Sequence, residues 1–333
     1  MAATWTDMCP PSPQFTEANM SDQFGRVFLV TGGTSGIGYE TAKTLYHLNG
    51  TIYITSRSES SALKAVESIK SSLPHSSQVI KPGRGSISYL QLNPSDLRSI
   101  KSSANELLKK EKRLDVIIHN ADVMLPADPK QKTEQGYHQL GINVLAPFIL
   151  QHYLTPLLLS TASLLDAKAF STRVIWVSSS GHRASPAPDG VAWDNVNLEG
   201  TDKKAMNVML AYEFARRFQD NGNRILSLSL HPGALKTGLQ GNLPRWFYAI
   251  FGRLRYETRM GALTECWAAI REIDIGNGEA GLLGNKTRGE NGGYVVPWGR
   301  WGEGHEGVMN GLIEKGTGER LWGLLEAILM EYM

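Results

Sequence analysis

Gly32, Gly36 and Gly38 fall within Leu29-Val30-Thr31-Gly32-Gly33-Thr34-Ser35-Gly36-Ile37-Gly38, a spacing that lets a backbone wrap around a phosphate. Gly32 can take backbone angles closed to other residues, Gly36 leaves no side chain between main chain and ligand, and Gly38 lets the next helix pack on the preceding strand. Free N–H groups from Ile37 onward then point at a diphosphate, and the helix dipole adds partial positive charge there. Further along, Ser56-Arg57 sets a guanidinium beside a hydroxyl, a combination suited to another phosphate. Neither cysteine, Cys9 or Cys266, has metal-ligand spacing around it, so no metal site is expected.

These residues need a frame, and the hydropathy pattern supplies one. Residues 27–30 form an apolar run suited to a strand buried on both faces, and a helix over 39–48 closes at Asn49-Gly50. Strands follow at 51–55, 86–92, 114–119, 173–179, 225–230 and 292–298. Between them, helical patterns cover 58–72, a segment capped by Ser95 and running to Lys110, 133–159, 201–217 and 261–270. A tail helix at 319–330 packs back through Leu321, Leu324 and Leu325, and 74–85 reads as a polar loop. Strand and helix alternating to the end predict an α/β chain with a doubly wound parallel sheet flanked by helices.

Thr31 to Gly38 resembles the cofactor turn of the short-chain dehydrogenase/reductases, Thr-Gly-x-x-x-Gly-x-Gly. Asn120-Ala121, Asn143, residues 173–179, Pro232-Gly233 with Thr237, and residues 294–300 resemble further landmarks of that family, in family order, across about residues 22–330. The retinol-dehydrogenase-like fungal members are the nearest in flavour. The resemblance implies a single-domain Rossmann-like fold over 22–333 after an extended arm at 1–21. It also implies a nicotinamide cofactor whose diphosphate lies on Thr31, Gly32, Ser35, Gly36, Ile37 and Gly38. An acidic residue after the second strand would repel a 2′-phosphate; Arg57 stands there instead and favours NADP(H). Asn93 occupies the place of the aspartate that holds the adenine amino group, and Asn120 steadies the fourth strand's end. Asp122 replaces a glycine, and its bulk and charge oppose the cofactor unless the side chain turns outward.

By the same resemblance, Asn143 holds a water of the proton relay and the Ser179 hydroxyl bonds the substrate's carbonyl oxygen, with Ser178 and Ser180 as neighbouring alternatives. Pro232, Gly233, Leu235 and Thr237 belong to the loop over the nicotinamide. Residues 239–260, with Trp246, Phe247, Tyr248 and Phe251, occupy the substrate-lid region and suggest an apolar ligand. His182 reads as a polar loop residue.

The family's tyrosine, four residues before a lysine on one helical face, is not found. Aligning backward from Asn207 and Glu213 makes Lys204 the catalytic and cofactor-binding lysine and puts Gly200 at the tyrosine position. Aligning forward from Asp194-Asn195 instead loses Tyr-x-x-x-Ser-Lys outright and makes Lys204 a surface lysine; this reading also explains Ala205-Met206 and is preferred. A mis-assigned exon boundary would leave the same trace. The pair Tyr39 and Lys43 has the spacing by coincidence, at the phosphate end of the cofactor.

With 333 residues, 41% hydrophobic content and a net charge of +2, the chain can bury a large core and lacks the charge of a nucleic-acid binder. No apolar run reaches a membrane span, 246–254 being the closest, so a cytoplasmic protein without an integral membrane segment is expected. The altered catalytic helix, often a family dimer contact, favours a monomer or weak homodimer. The expected activity is NADP(H)-dependent interconversion of a carbonyl and an alcohol on a small, mostly apolar molecule, in fungal secondary metabolism. The alternative is a catalytically impaired relative that binds nucleotide or a partner without turnover.

Overall fold

The computed structural model describes residues 9–75, 83–122, 132–137, 139–185, 188–195, 203–218, 225–236, 255–273 and 291–332. Strands β1 (Val27–Val30), β4 (Val116–His119), β5 (Arg173–Val177) and β6 (Leu226–Leu230) are buried at every position, as strands must be when helices cover both sheet faces. With β2 (Thr51–Ser56), β3 (Ser86–Gln91), β7 (Tyr294–Val296) and β8 (Arg300–Gly302) they form one sheet in the order β3-β2-β1-β4-β5-β6-β7-β8. All neighbours pair parallel except β7 and β8. Val30 lies beside Ile54 on one side and Ile118 on the other. From β1 the chain builds outward through β2 and β3, then crosses back to β4. The strand order therefore reverses between β1 and β4, where open α/β sheets bind ligands at the strands' carboxyl ends.

Alternation along the strands sorts the core into two layers. Val27 and Leu29 join the layer formed with α3 (Ile100–Lys110), α4 (Ala146–Ala162), α5 (Lys203–Phe218), α7 (Glu306–Lys315) and α8 (Thr317–Leu329). Phe28 and Val30 join the layer formed with α1 (Gly36–His47), α2 (Glu59–Ser71) and α6 (Thr258–Ile270). The doubly wound α/β architecture expected from the sequence is thus present.

Several local expectations change. The helix expected over 133–159 begins later: residues 133–137 close a turn in which Tyr137 N donates to Thr133 Oγ1 at 3.1 Å, and the helix enters through a wide turn, Gly141–Leu145. With that turn, Gly141–Ala162 is long and apolar enough to cross a bilayer, contrary to the sequence expectation, but 72% of its most apolar window is buried inside the fold. Asp96, rather than Ser95, caps the turn ahead of α3 by accepting from Arg98 N at 3.1 Å. The expected final strand is shorter and reverses into β8, a turn closed by Gly299 N donating to Val296 O at 3.0 Å. The arm expected to be extended is, over residues 9–21, packed on the body: Phe15 and Met20 are buried, and Arg259 donates to both carboxylate oxygens of Glu17 at 2.8 and 2.9 Å.

Candidate active site

The glycine turn is fixed by a weld between β1 and β4. Thr31 Oγ1 accepts from both Asn120 N and Ala121 N at 2.9 Å, while Asn120 Nδ2 donates to Thr31 O at 2.9 Å. A Cβ on Gly38 would run into that Asn120 amide and stand 2.8 Å from Gly32 O, so the helix can pack this closely only with glycine there. Gly32 and Gly36 have φ of +68° and +62°, a left-handed conformation that opposes any side chain. Beside Gly36 there is open space, whereas Gly33 is packed against Ile54. The first turn of α1 therefore presents backbone N–H groups to an open cradle, which suits an anion.

On the β2 side of the turn, Arg57 is exposed just beyond the strand's carboxyl end. Thr55, one strand position before Ser56, accepts from Gly32 N at 3.3 Å and ties β2 to the turn. Asn93 uses its Oδ1 to accept from Ser95 N at 3.1 Å, closing its own turn after β3.

On the β4 and β5 side lies an arrangement the sequence did not disclose. Lys204 is only 9% exposed, not on the surface as the preferred alignment expected. It opens α5, whose first turns pack on the end of β5: Ser178 Oγ donates to Lys204 O at 2.7 Å, and Asn207 Nδ2 donates to Val177 O at 2.9 Å. Lys204 Nζ donates to the same Val177 carbonyl at 3.3 Å and forms an ion pair with Asp122 Oδ2 at 2.9 Å. Asp122 does not turn outward, for its side chain is 11% exposed, and its charge is matched by the ammonium rather than left to repel a ligand.

Because the Ser178 hydroxyl is committed to Lys204 O, the choice at the end of β5 narrows to Ser179 and Ser180. Ser179 is half-buried, and its Oγ accepts from Gly181 N at 3.0 Å. Asn143 is 4% exposed and sits within the wide turn Gly141–Leu145, a local widening common at functional sites.

His182, read from sequence as a polar loop residue rather than a base, lies in the short turn after β5. It is fully buried, and His305 N donates to its Nε2 at 3.0 Å, which fixes the other nitrogen, Nδ1, as the donor to Ser179 O at 2.6 Å. The Tyr294 hydroxyl lies 3.3 Å from that Nδ1 and 3.5 Å from Ser179 O. Burial pushes the imidazole pKa down to about 4, so it stays neutral and brackets the Ser179 turn against β7 and the start of α7.

In the loop after β6, Gly233 N donates to His231 Nδ1 at 3.3 Å, and a Cβ on Gly233 would stand 2.8 Å from the Trp298 ring. Leu235 is buried and bridges to Tyr256, with Pro232 O facing Gly261. Thr237, Gly200 and lid residues 239–254 lie outside the described residues. The Tyr39 hydroxyl pairs with Ser68 Oγ at 2.8 Å, on the outer side of α1.

The family model for short chain dehydrogenases matches residues 26–246. The chain belongs to the short-chain dehydrogenase family. Members of this family are oxidoreductases that bind a nicotinamide cofactor. Among curated relatives, a short-chain dehydrogenase/reductase of Phomopsis amygdali is 34% identical across 99% of this chain and 97% of its own length. Short-chain dehydrogenase/reductase pkfC of Emericella nidulans is 37% identical across 78% of this chain and 82% of its own. Among solved structures, an uncharacterised protein from Mycobacterium paratuberculosis superposes with a TM-score of 0.66 over 94% of this chain and 96% of its own, at 21% identity. The NADP complex of Pseudomonas aeruginosa RhlG superposes with a TM-score of 0.56 over 74% of this chain and 90% of its own, also at 21% identity. The glycine turn after β1 and the serines after β5 lie at the carboxyl ends of the two strands that flank β4 in this sheet.

Proposed function

We propose that the protein is an NADP(H)-dependent oxidoreductase that interconverts a carbonyl and an alcohol on a small, mostly apolar molecule, in fungal secondary metabolism. The observation that carries this reading is the open cradle at Gly36, set at the point where the strand order reverses and flanked by Arg57 on one side and by Lys204 and Ser179 on the other. The residues present fit the cofactor: Thr31, Gly32, Ser35, Gly36, Ile37 and Gly38 hold the diphosphate, Arg57 takes the 2′-phosphate, and Asn93 lies toward the adenine. Asn120 keeps the floor of the site rigid, and Pro232, Gly233 and Leu235 stand toward the far end, with Thr237 proposed as a further cofactor contact. When bound, the nicotinamide supplies or accepts the hydride.

This chain's own part in the chemistry is polar positioning. The Ser179 hydroxyl donates to the substrate oxygen, and the ammonium of Lys204 sets the local charge beside it. Asn143 orients the water that exchanges the proton with solvent. Without a tyrosine, loss of a positioned general acid lowers the rate by roughly 10² to 10⁴ relative to a complete site, so slow turnover is expected.

The test is nicotinamide oxidation with a panel of ketones, set beside Ser179→Ala. Removing one donor to the developing oxyanion should lower turnover by roughly 10² to 10³ while NADPH affinity stays unchanged. Turnover indifferent to Ser179→Ala would overturn the assignment. Nucleotide binding without any turnover would instead favour the non-catalytic alternative.

A further inference from the structure

Arg259, the second residue of α6, donates to both carboxylate oxygens of Glu17 on the N-terminal arm, at 2.8 and 2.9 Å. Glu17 is only 6% exposed, and a carboxylate is taken this far out of water only where a partner compensates it. Burial by itself would raise its pKa, yet the Arg259 hydrogen bonds prevail and hold the carboxyl below its usual range, so the pair stays charged. The arm is built to present it. Thr16 N donates to Asn19 Oδ1 at 2.7 Å and Asn19 N to Thr16 O at 3.0 Å, closing a short turn around Glu17. Phe15 and Met20, on either side, enter the apolar layer that holds Leu45 of α1 and Leu263 of α6.

The same end of α6 meets two segments of the candidate site. A Cβ on Gly261, two residues past Arg259, would collide with the Leu235 side chain and stand 3.3 Å from Pro232 O and 3.4 Å from Ile37 Cγ1. The first turn of α6 is therefore a wedge between the start of α1 and the loop after β6. Tyr256 N donates to Ala234 O and Lys236 N to Tyr256 O, both at 2.9 Å, so that loop is stitched to the residues entering α6. Further along, α6 is fixed by Thr41 on Glu265 and by Arg173, which donates to Ala268 O and Arg271 O at 2.7 and 2.6 Å. At its start, the cap residue Glu257 makes no side-chain cap hydrogen bond, and its pair with Lys236 is exposed and correspondingly weak. Among the described residues, Glu17 is the buried charge that pins this turn. We propose that Glu17 is a positioning residue for the nicotinamide end of the cofactor site: by tethering Arg259, it holds the first turn of α6 against Ile37 and against Pro232 and Leu235. The inference rests on the cofactor reading above and gives the N-terminal arm a part in the site, exerted through α6.

The test is calorimetric affinity for two probes, NADPH and 2′,5′-ADP, the latter carrying the adenine half and the 2′-phosphate without the nicotinamide end. Glu17→Gln keeps the shape and one acceptor while removing the charge, and the half-exposed Arg259 side chain can then turn to water. NADPH should bind about fivefold more weakly, the loss expected when the competent arrangement is populated about one-fifth of the time, and 2′,5′-ADP should be unchanged. Arg259→Gln, the second variant should the first not fold, should show the same selective loss. Arg259→Lys, which keeps a charge for Glu17, should recover most of it, and Glu17→Gln with Arg259→Gln together should lose no more than either alone. NADPH bound by Glu17→Gln as tightly as by the native protein, or more tightly, would overturn the tether while leaving the cofactor reading intact. Equal weakening of both probes would also overturn it, by showing general damage, as would losses that add in the double variant, by showing an effect that does not pass through Arg259. Failure of the native protein to bind either probe would remove the cofactor reading and the tether together.

Discussion

Glu265 is the place where solution pH should register most directly in this fold. It lies on α6, fully buried against α1, where Thr41 Oγ1 donates to its Oε2 at 2.6 Å and Oε1 has no partner. Burial outweighs the single hydrogen bond and lifts the carboxyl pKa from 4.5 to about 7. In the unfolded chain the group ionises from pH 4.5, whereas in the folded chain it keeps its proton until about pH 7. Between those values the folded state binds more protons than the unfolded one, so stability falls as pH rises. The favourable contribution is complete below pH 4.5 and lost once pH passes about 7. At 1.36 kcal/mol per unit, a shift of this size corresponds to about 3 kcal/mol, an order-of-magnitude figure. Glu265→Gln keeps the volume and an acceptor for Thr41 while removing the titration. Urea unfolding of both proteins at pH 5 and pH 8 measures the effect: the native protein should lose about 2.5 kcal/mol relative to the variant across that interval, the unfolded carboxyl being already largely ionised at pH 5. Parallel pH dependence in the two proteins would refute the reasoning and point to a carboxylate solvated in the native state.

Two other substitutions probe the cradle. Arg57→Glu should weaken NADPH by roughly 100-fold and NADH much less, because a charge-assisted bond to the 2′-phosphate is exchanged for repulsion; equal loss for both nucleotides by calorimetry would reject Arg57 as the phosphate partner. Thr31→Val should destabilise the fold by about 2–4 kcal/mol, since Asn120 N and Ala121 N each lose their acceptor at 2.9 Å, and a loss under about 1 kcal/mol in urea unfolding would show that the weld is dispensable.

Helix α5 marks where spacing along the chain stops being informative. Asn207 and Glu213 supported one register for Lys204, and Asp194-Asn195 supported a deletion that left it on the surface. Sequence spacing could not choose, because both registers give α5 the same buried face through Met206, Leu210 and Phe214. The fold places Lys204 against Val177 O and Asp122, a position that depends on how α5 docks on β5. The burial of His182 is hidden from the sequence for a similar reason. Nothing in Ser180-Gly181-His182-Arg183 announces that β7 and the start of α7 will close over the ring. The shortened last strand, β8 and α7 likewise follow from packing at the sheet's far edge, where no strong local period marks them.

The chain's own order of residues determined the features that local chemistry dictates. Glycine at positions 32, 36 and 38 permits the left-handed turn and the close helix packing found there, and runs such as Phe28-Leu29-Val30 must be covered on both sides, so the glycine turn and the doubly wound sheet were legible. Tertiary structure alone decided the charge balance of the site. Asp122, in the loop after β4, and Lys204, at the start of α5, lie far apart in sequence, and whether that carboxylate stands alone or paired depends on the ammonium that packing delivers 2.9 Å away.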